Sequence, residues 1–189
     1  HNPDDYITKV SPVEFDKDAK CPEWQRFLER IFRNHPDIPA YLQAVVGYSL
    51  TASTKEQMVV FLYGLGENGK TTFVETVMEL FGVTEYCSKV SAETFLSSGR
   101  TNEGPQPELA SLKGARLVTA TESEAGRFLH ETLIKEITGG DTIPARMLYR
   151  NPFSFQPEFQ IFLATNNRPV IREQTHALWR RIRLVPFAE

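Results

Sequence analysis

Gly64-Leu65-Gly66-Glu67-Asn68-Gly69-Lys70-Thr71 stands directly after the apolar run Met58-Val59-Val60-Phe61-Leu62-Tyr63 and before the helical stretch Thr72 to Phe81. The spacing is G-x-x-x-x-G-K-[ST], in the strand-to-helix context that this motif needs. Backbone N–H groups of such a loop, with the positive end of the following helix, surround a phosphate, and glycines permit positive φ and close approach. Lys70 would reach β- and γ-phosphate oxygens, and Thr71 would place a hydroxyl on Mg²⁺. Gly64, Leu65, Gly66, Glu67, Asn68, Gly69, Lys70, Thr71 and Thr72 are therefore the predicted nucleotide-binding residues. The same glycines also satisfy G-x-G-x-x-G, the fingerprint of a dinucleotide fold and of a nicotinamide-dependent oxidoreductase. That fold wants an acid about 20 residues on, at the end of the second strand. Here the strand-like Tyr86-Cys87-Ser88 ends at Lys89, and Lys70-Thr71 would have no task.

Outward from the loop, Met58 to Tyr63, Leu117 to Thr121 and Ile161 to Thr165 do not alternate polar with apolar. Strands buried on both faces read this way, which predicts a parallel α/β sheet. Thr72 to Phe81, ending at Gly82, and Phe128 to Thr138, ending at Gly139-Gly140, are predicted helices with glycine stops. Ser97 to Pro107 has the composition of an exposed mobile loop. Upstream, Trp24, Phe27, Leu28, Ile31 and Phe32 form the stripe of an amphipathic helix that starts at Pro22 and stops at Asn34-His35-Pro36. A second helix is predicted around Ala40 to Leu50. Residues 1–54 thus form an extension and a helical unit predicted to pack on the core, and 55–189 form that core.

The chain has 189 residues, 41% of them hydrophobic and 24% charged, the balance of one ordinary globular core. Its longest apolar runs fall far short of the roughly 20 residues of a membrane helix, and the first twenty residues lack a signal peptide's basic and apolar regions. A cytoplasmic protein without a membrane segment is expected. Cys21 and Cys87 lack partners at metal-ligand spacing and are read as packing residues. The net charge is −3, yet from Thr142 onward seven arginines face three acids. An arginine-only basic segment on an acidic body suggests a local phosphate site, against the plainer reading of a solvated basic face.

If Leu117 to Thr121 lies beside the glycine-loop strand, its carboxyl end delivers Glu122 and Glu124 to the crevice where open α/β sheets bind ligands. A carboxylate there can hold a Mg²⁺ water shell or polarise the attacking water. Asn166-Asn167, after the strand Phe159 to Thr165, are suited to orienting water against a γ-phosphate. Trp179-Arg180-Arg181 offers guanidinium groups for a transferring phosphoryl group.

In this order the pieces resemble the superfamily 3 helicases, and most closely the phage and plasmid primase-helicases related to the poxvirus primase-helicase. The resemblance covers roughly Pro22 to Phe187. Gly64 to Thr72 resembles the first motif, and Arg116 to Glu124 the second. Lys135 to Asp141 with Ala145-Arg146 resembles the motif particular to this superfamily. Phe162 to Asn166 is similar to the terminal motif, and Trp179-Arg180-Arg181 to the arginine-finger segment. The resemblance implies an α/β fold with an AAA+-like, P-loop NTPase parallel sheet. It further implies a hexameric ring with ATP and Mg²⁺ between subunits, and movement on single-stranded DNA. Thr71 and Glu122 are its metal residues, and Lys70, Glu122, Glu124, Asn166, Arg180 and Arg181 its catalytic ones. It also implies a β-hairpin over 141–158 that projects into the channel, with Lys135, Arg146, Tyr149 and Arg150 as DNA contacts. Many members place two acids side by side in the second motif. Here Ser123 separates them, which leaves the choice of base between Glu122 and Glu124 open. No primase module is present, and the chain reads as an excised core without its relatives' C-terminal continuation. The non-enzyme alternative is a DNA-binding or assembly module with an inert nucleotide pocket.

Overall fold

The computed structural model describes residues 2, 4, 6–97, 107–121, 127–168, 170–172 and 175–187. Strands β1 (Val59–Tyr63), β2 (Cys87–Ser91), β4 (Leu117–Thr121), β8 (Gln160–Thr165) and β9 (Ile182–Pro186) form a five-stranded sheet in the order β2-β4-β8-β1-β9. Every pairing in it is parallel. The missing polar–apolar alternation has a direct cause. Along β1, Val59 and Phe61 face one core cluster and Val60 and Leu62 the other, so both faces are covered.

On one face lie helices α1 (Pro22–Ile31), α2 (Ile38–Ser49) and α3 (Lys70–Phe81). Phe73, Val74, Val77, Met78 and Phe81 form the buried stripe of α3, which ends at Gly82 with φ +85°. A ladder of rings ties α1 to α3: Trp24 stacks on Phe73 at 5.6 Å, and Phe187 meets Phe32 and Phe73 edge-on at 4.9 and 5.8 Å. The predicted N-terminal helices are therefore built into the core of the sheet. The polar lead-in is held too, with the Ser11 hydroxyl donating to the Leu80 carbonyl at 2.8 Å and Lys9 Nζ to the Gly114 carbonyl at 3.0 Å. Among the described residues no helix is long and apolar enough to cross a membrane.

On the other face lie α4 (Pro107–Ser111), α5 (Glu131–Gly139) and two short antiparallel pairs. One joins β3 (Leu96–Ser97) to β5 (Phe128–Leu129). The other joins β6 (Ile143–Ala145) to β7 (Phe153–Phe155), a hairpin within the predicted 141–158 segment. A short helix, α6 (His176–Trp179), leads into β9.

Several expectations need correction. β4 is not beside the glycine-loop strand, because β8 lies between them. All six β8 residues are buried, and this fully buried strand takes the centre. The helix predicted from Phe128 begins at Glu131. Leu129 continues the helical spacing of Leu133 and Ile137, but it pairs with Leu96, and the His130 ring caps the helix by accepting from the Leu133 N–H at 3.2 Å. Trp179-Arg180-Arg181, read for its charges, leads directly into strand β9. Cys87 is buried, and burial pushes its thiol up to about 12, as a packing residue requires. Cys21 is exposed, so core packing does not account for it. Of the predicted mobile loop, residues 98–106 lie outside the described residues.

Candidate functional site

Parallel strands bring their carboxyl ends to one edge, so the turns after β1 and β8 share the edge at which β4 ends. The loop after β1 is anchored there by the Gly64 N–H, which donates to the Thr165 carbonyl at 3.3 Å. Packing demands two of its glycines. A Cβ on Gly64 would stand 2.2 Å from both the Phe187 carbonyl oxygen and Asn68 Nδ2. Gly69 has φ +88°, and its Cβ would stand 2.9 Å from the Phe27 ring. Gly66 has open space around it and is exposed. Gly69 also forms the N-cap of α3 and offers no side chain to the first-turn N–H groups. Those donors and the positive end of a twelve-residue helix are thus left toward the loop.

Lys70 is buried, and its ammonium donates to the carbonyls of Gly64 at 2.5 Å and Leu65 at 3.3 Å and to Asn68 Oδ1 at 2.9 Å. Burial pushes its pKa below the ordinary lysine value. Thr71 and Thr72 are exposed on the first turn of α3, and Leu65 and Glu67 are exposed on the loop. The donor set fits a triphosphate: backbone N–H groups, a cation drawn in among neutral oxygens, and a hydroxyl for a hard cation. Among the described residues no group of three or more His, Cys, Asp or Glu could hold a metal ion, so Thr71 is the described candidate for Mg²⁺.

The sheet order excludes the dinucleotide alternative. That fold sets the strand after the first helix beside the first strand, whereas here β4 and β8 separate β2 from β1. Asn166 stands exposed at the carboxyl end of β8, next to the loop strand. Glu122 and Glu124 follow directly on the carboxyl end of β4 and lie outside the described residues. An arginine not singled out in the sequence is also at this edge. The Arg168 guanidinium lies 5.2 Å from the ring centroid of Tyr63, the last residue of β1. Its neighbour Asn166 drew the sequence reading, and only the parallel register shows that Arg168 shares the crevice.

The two arginines of the finger segment part company. Arg180 is exposed, resting a guanidinium nitrogen on Gln57 Oε1. Arg181, also expected to be catalytic, is 7% exposed. Its Nε donates to Thr138 Oγ1 on α5 at 3.0 Å and its Nη1 to the Ala177 carbonyl. Burial and neighbouring Arg180 push its pKa down, while Asp141 pushes it up. Arg181→Ala should remove charge-assisted bonds worth about 2 kcal/mol and lower Tm by roughly 4–8 °C, with Arg180→Ala leaving Tm unchanged. Thermal melts of the two variants check this.

The hairpin carries Arg146, Tyr149 and Arg150 at its exposed tip. Tyr149 is 99% exposed in a left-handed conformation of φ +59°, and Arg146 Nε donates to the Arg150 carbonyl at 3.3 Å. Lys135 is not with them. It is half-buried on α5 and has an interaction partner of its own.

Residues 62–181 match the model of DUF5906, described as a family of unknown function, and residues 1–33 match one described as D5 N terminal like. The chain is 30% identical to the "Putative helicase L207/L206" of Acanthamoeba polyphaga mimivirus, over 98% of this chain and 19% of that protein. It is 31% identical to the "Putative helicase 022R" of Frog virus 3, over 70% of this chain and 14% of that one. The "Putative primase C962R" of African swine fever virus is 26% identical over 78% of this chain and 15% of its own length. The chain therefore spans about a fifth or less of these curated relatives. Among solved structures, the apo NrS-1 C terminal region superposes with a TM-score of 0.65 at 14% identity, over 95% of this chain and 40% of that one. At that identity the likeness speaks for the fold alone.

Proposed function

Because the chain belongs to the DUF5906 family and to the D5-like primase-helicases of viral replication, we propose that it is the ATP-hydrolysing motor core of a DNA helicase. Residues 1–54 brace the motor and 55–189 form it. It acts in a ring of identical subunits, six in the full-length protein, within a cytoplasmic replication complex. The observation that carries this reading is the glycine loop between β1 and α3 with the Lys70 ammonium drawn into its mouth. The strand order supports it as an AAA+-like P-loop sheet, because the strand leading to Asn166 stands beside the loop strand.

In this reading Gly64 to Thr72 hold the triphosphate, and Lys70 neutralises charge that builds on its oxygens as water attacks in line. Asn166 orients that water, and Glu122 or Glu124 accepts its proton. Thr71 and Glu122 would hold Mg²⁺, which would supply further neutralisation of phosphate charge. ATP hydrolysis measured against protein concentration, with and without single-stranded DNA, tests the proposal. A rate per subunit that rises with concentration and with DNA is expected. No turnover in assembled rings with DNA would favour the inert-pocket module.

At the hairpin tip, Arg146 and Arg150 would grip backbone phosphates and Tyr149 would stack on a base, with Lys135 supporting from α5. Arg150→Ala should weaken single-stranded DNA binding and flatten its log–log salt slope by roughly 1, with nucleotide affinity unchanged. Fluorescence anisotropy across a salt series reads both quantities, and an unaltered slope would remove the hairpin from the DNA path.

A further inference from the structure

Asn68 is a buried amide with both ends engaged. Its Nδ2 donates to the Phe187 carbonyl at 2.7 Å, across 119 residues of sequence, and its Oδ1 accepts from Lys70 Nζ at 2.9 Å. One bond dictates the other. The Phe187 oxygen accepts only, so the amide must turn its NH₂ toward Phe187 and its oxygen toward the ammonium. The Phe187 end is itself fixed. Its N–H donates to the Tyr63 carbonyl at 2.8 Å, its ring is locked between Phe32 and Phe73, and Gly64 lets its carbonyl come close.

We infer that Asn68 is a positioning residue: oriented by the Phe187 carbonyl beyond β9, its side chain sets where the Lys70 ammonium sits in the loop. This rests on the nucleotide reading above and deepens it. The Asn68 side chain does not itself bind the nucleotide. It presents Lys70, and it makes the end of the edge strand and the phosphate-facing cation move as one unit. The neutral oxygen suits the task, because it holds an ammonium against the cost of burial yet yields it to a charged phosphate. A carboxylate in the same place would keep the lysine for itself and repel the incoming anion.

The test is therefore a comparison of Asn68→Ala with the isosteric Asn68→Asp. Both lose the donor to Phe187 and should melt below the unaltered chain. A role confined to packing predicts that ATP affinity follows those melting temperatures. The positioning role predicts that calorimetric Kd for ATP rises about tenfold in Asn68→Ala, because a lysine side chain no longer held in place must be ordered when ATP binds. It predicts a rise of ~100-fold in Asn68→Asp, from the added like charge and the sequestered lysine. Asn68→Asp binding ATP as tightly as Asn68→Ala overturns the inference while leaving the nucleotide reading in place. Failure of the unaltered chain to bind ATP overturns both. Should the variants not fold, the ¹⁵N side-chain amide signal of Asn68 in the unaltered chain decides. It should exchange slowly with solvent and shift on adding ATP, and an unmoved signal ends the assignment.

Discussion

Replacing Lys70 by alanine is expected to abolish ATP turnover, with kcat falling by about 10²–10³ or more. The ammonium is drawn among the Gly64 and Leu65 carbonyls and Asn68 Oδ1 at the opening of the loop. Alanine leaves the glycine cradle and the α3 N-terminus in place and removes the charge that would meet the developing negative charge of the phosphoryl oxygens. The fold should survive, because taking away a buried cation held by neutral oxygens also removes its desolvation cost. Phosphate release reads the loss of turnover, and Trp24 reads binding separately. Its ring stacks on Phe27 at 5.3 Å, and Phe27 lies against Gly69. Nucleotide seated on the loop should therefore perturb tryptophan fluorescence in the variant too, at higher concentration. Wild-type turnover by Lys70→Ala would end the motor reading, whatever the hairpin does.

The sequence made the loop and the three central strands legible because their signals are local. A fixed spacing of glycines and a lysine, and runs of apolar residues without alternation, need no knowledge of the rest of the chain. Glycine stops worked for the same reason at Gly82 and Gly140, whose φ values of +85° and +82° only glycine adopts freely. What was not legible depends on contacts distant in sequence. The order of strands puts β8 between β1 and β4, and nothing local to Leu117 to Thr121 reports its neighbour. Arg180 and Arg181 are identical as letters, yet one is exposed and the other is sealed against Thr138, because α5 arrives from forty-odd residues upstream. Phe187 looked like an ordinary apolar residue, and its carbonyl turns out to be the fixed point of the loop's one buried amide. The acids after β4 were the plainest catalytic candidates in sequence and lie outside the described residues. Their roles therefore rest on the motif and the direction of the strand before them.

Mixing Lys70→Ala with Arg180→Ala is expected to restore turnover that neither has alone, and the sheet itself gives the reason. The Val59 N–H donates to the Arg181 carbonyl at 2.8 Å, which puts Arg180 at the amino end of β1 and β9. The glycine loop leaves from the carboxyl end of β1, so the two are separated by the strand's five residues, about 17 Å at 3.2–3.4 Å per residue. Arg180 cannot serve its own loop. A guanidinium acting on a transferring phosphoryl group contributes about 10³–10⁵ in rate, so Arg180→Ala should be nearly inactive if a neighbouring subunit supplies that group. A head-to-tail ring interface then pairs the intact Lys70 of one variant with the intact Arg180 of the other in about one interface in four at equal mixing. Arg181→Ala makes the control. It loses stability through its buried bond to Thr138, and mixing it with Lys70→Ala should give no more activity than its own folded fraction provides. Rings shown by mass to contain both Lys70→Ala and Arg180→Ala subunits, yet inactive with single-stranded DNA present, would remove Arg180 from the shared site.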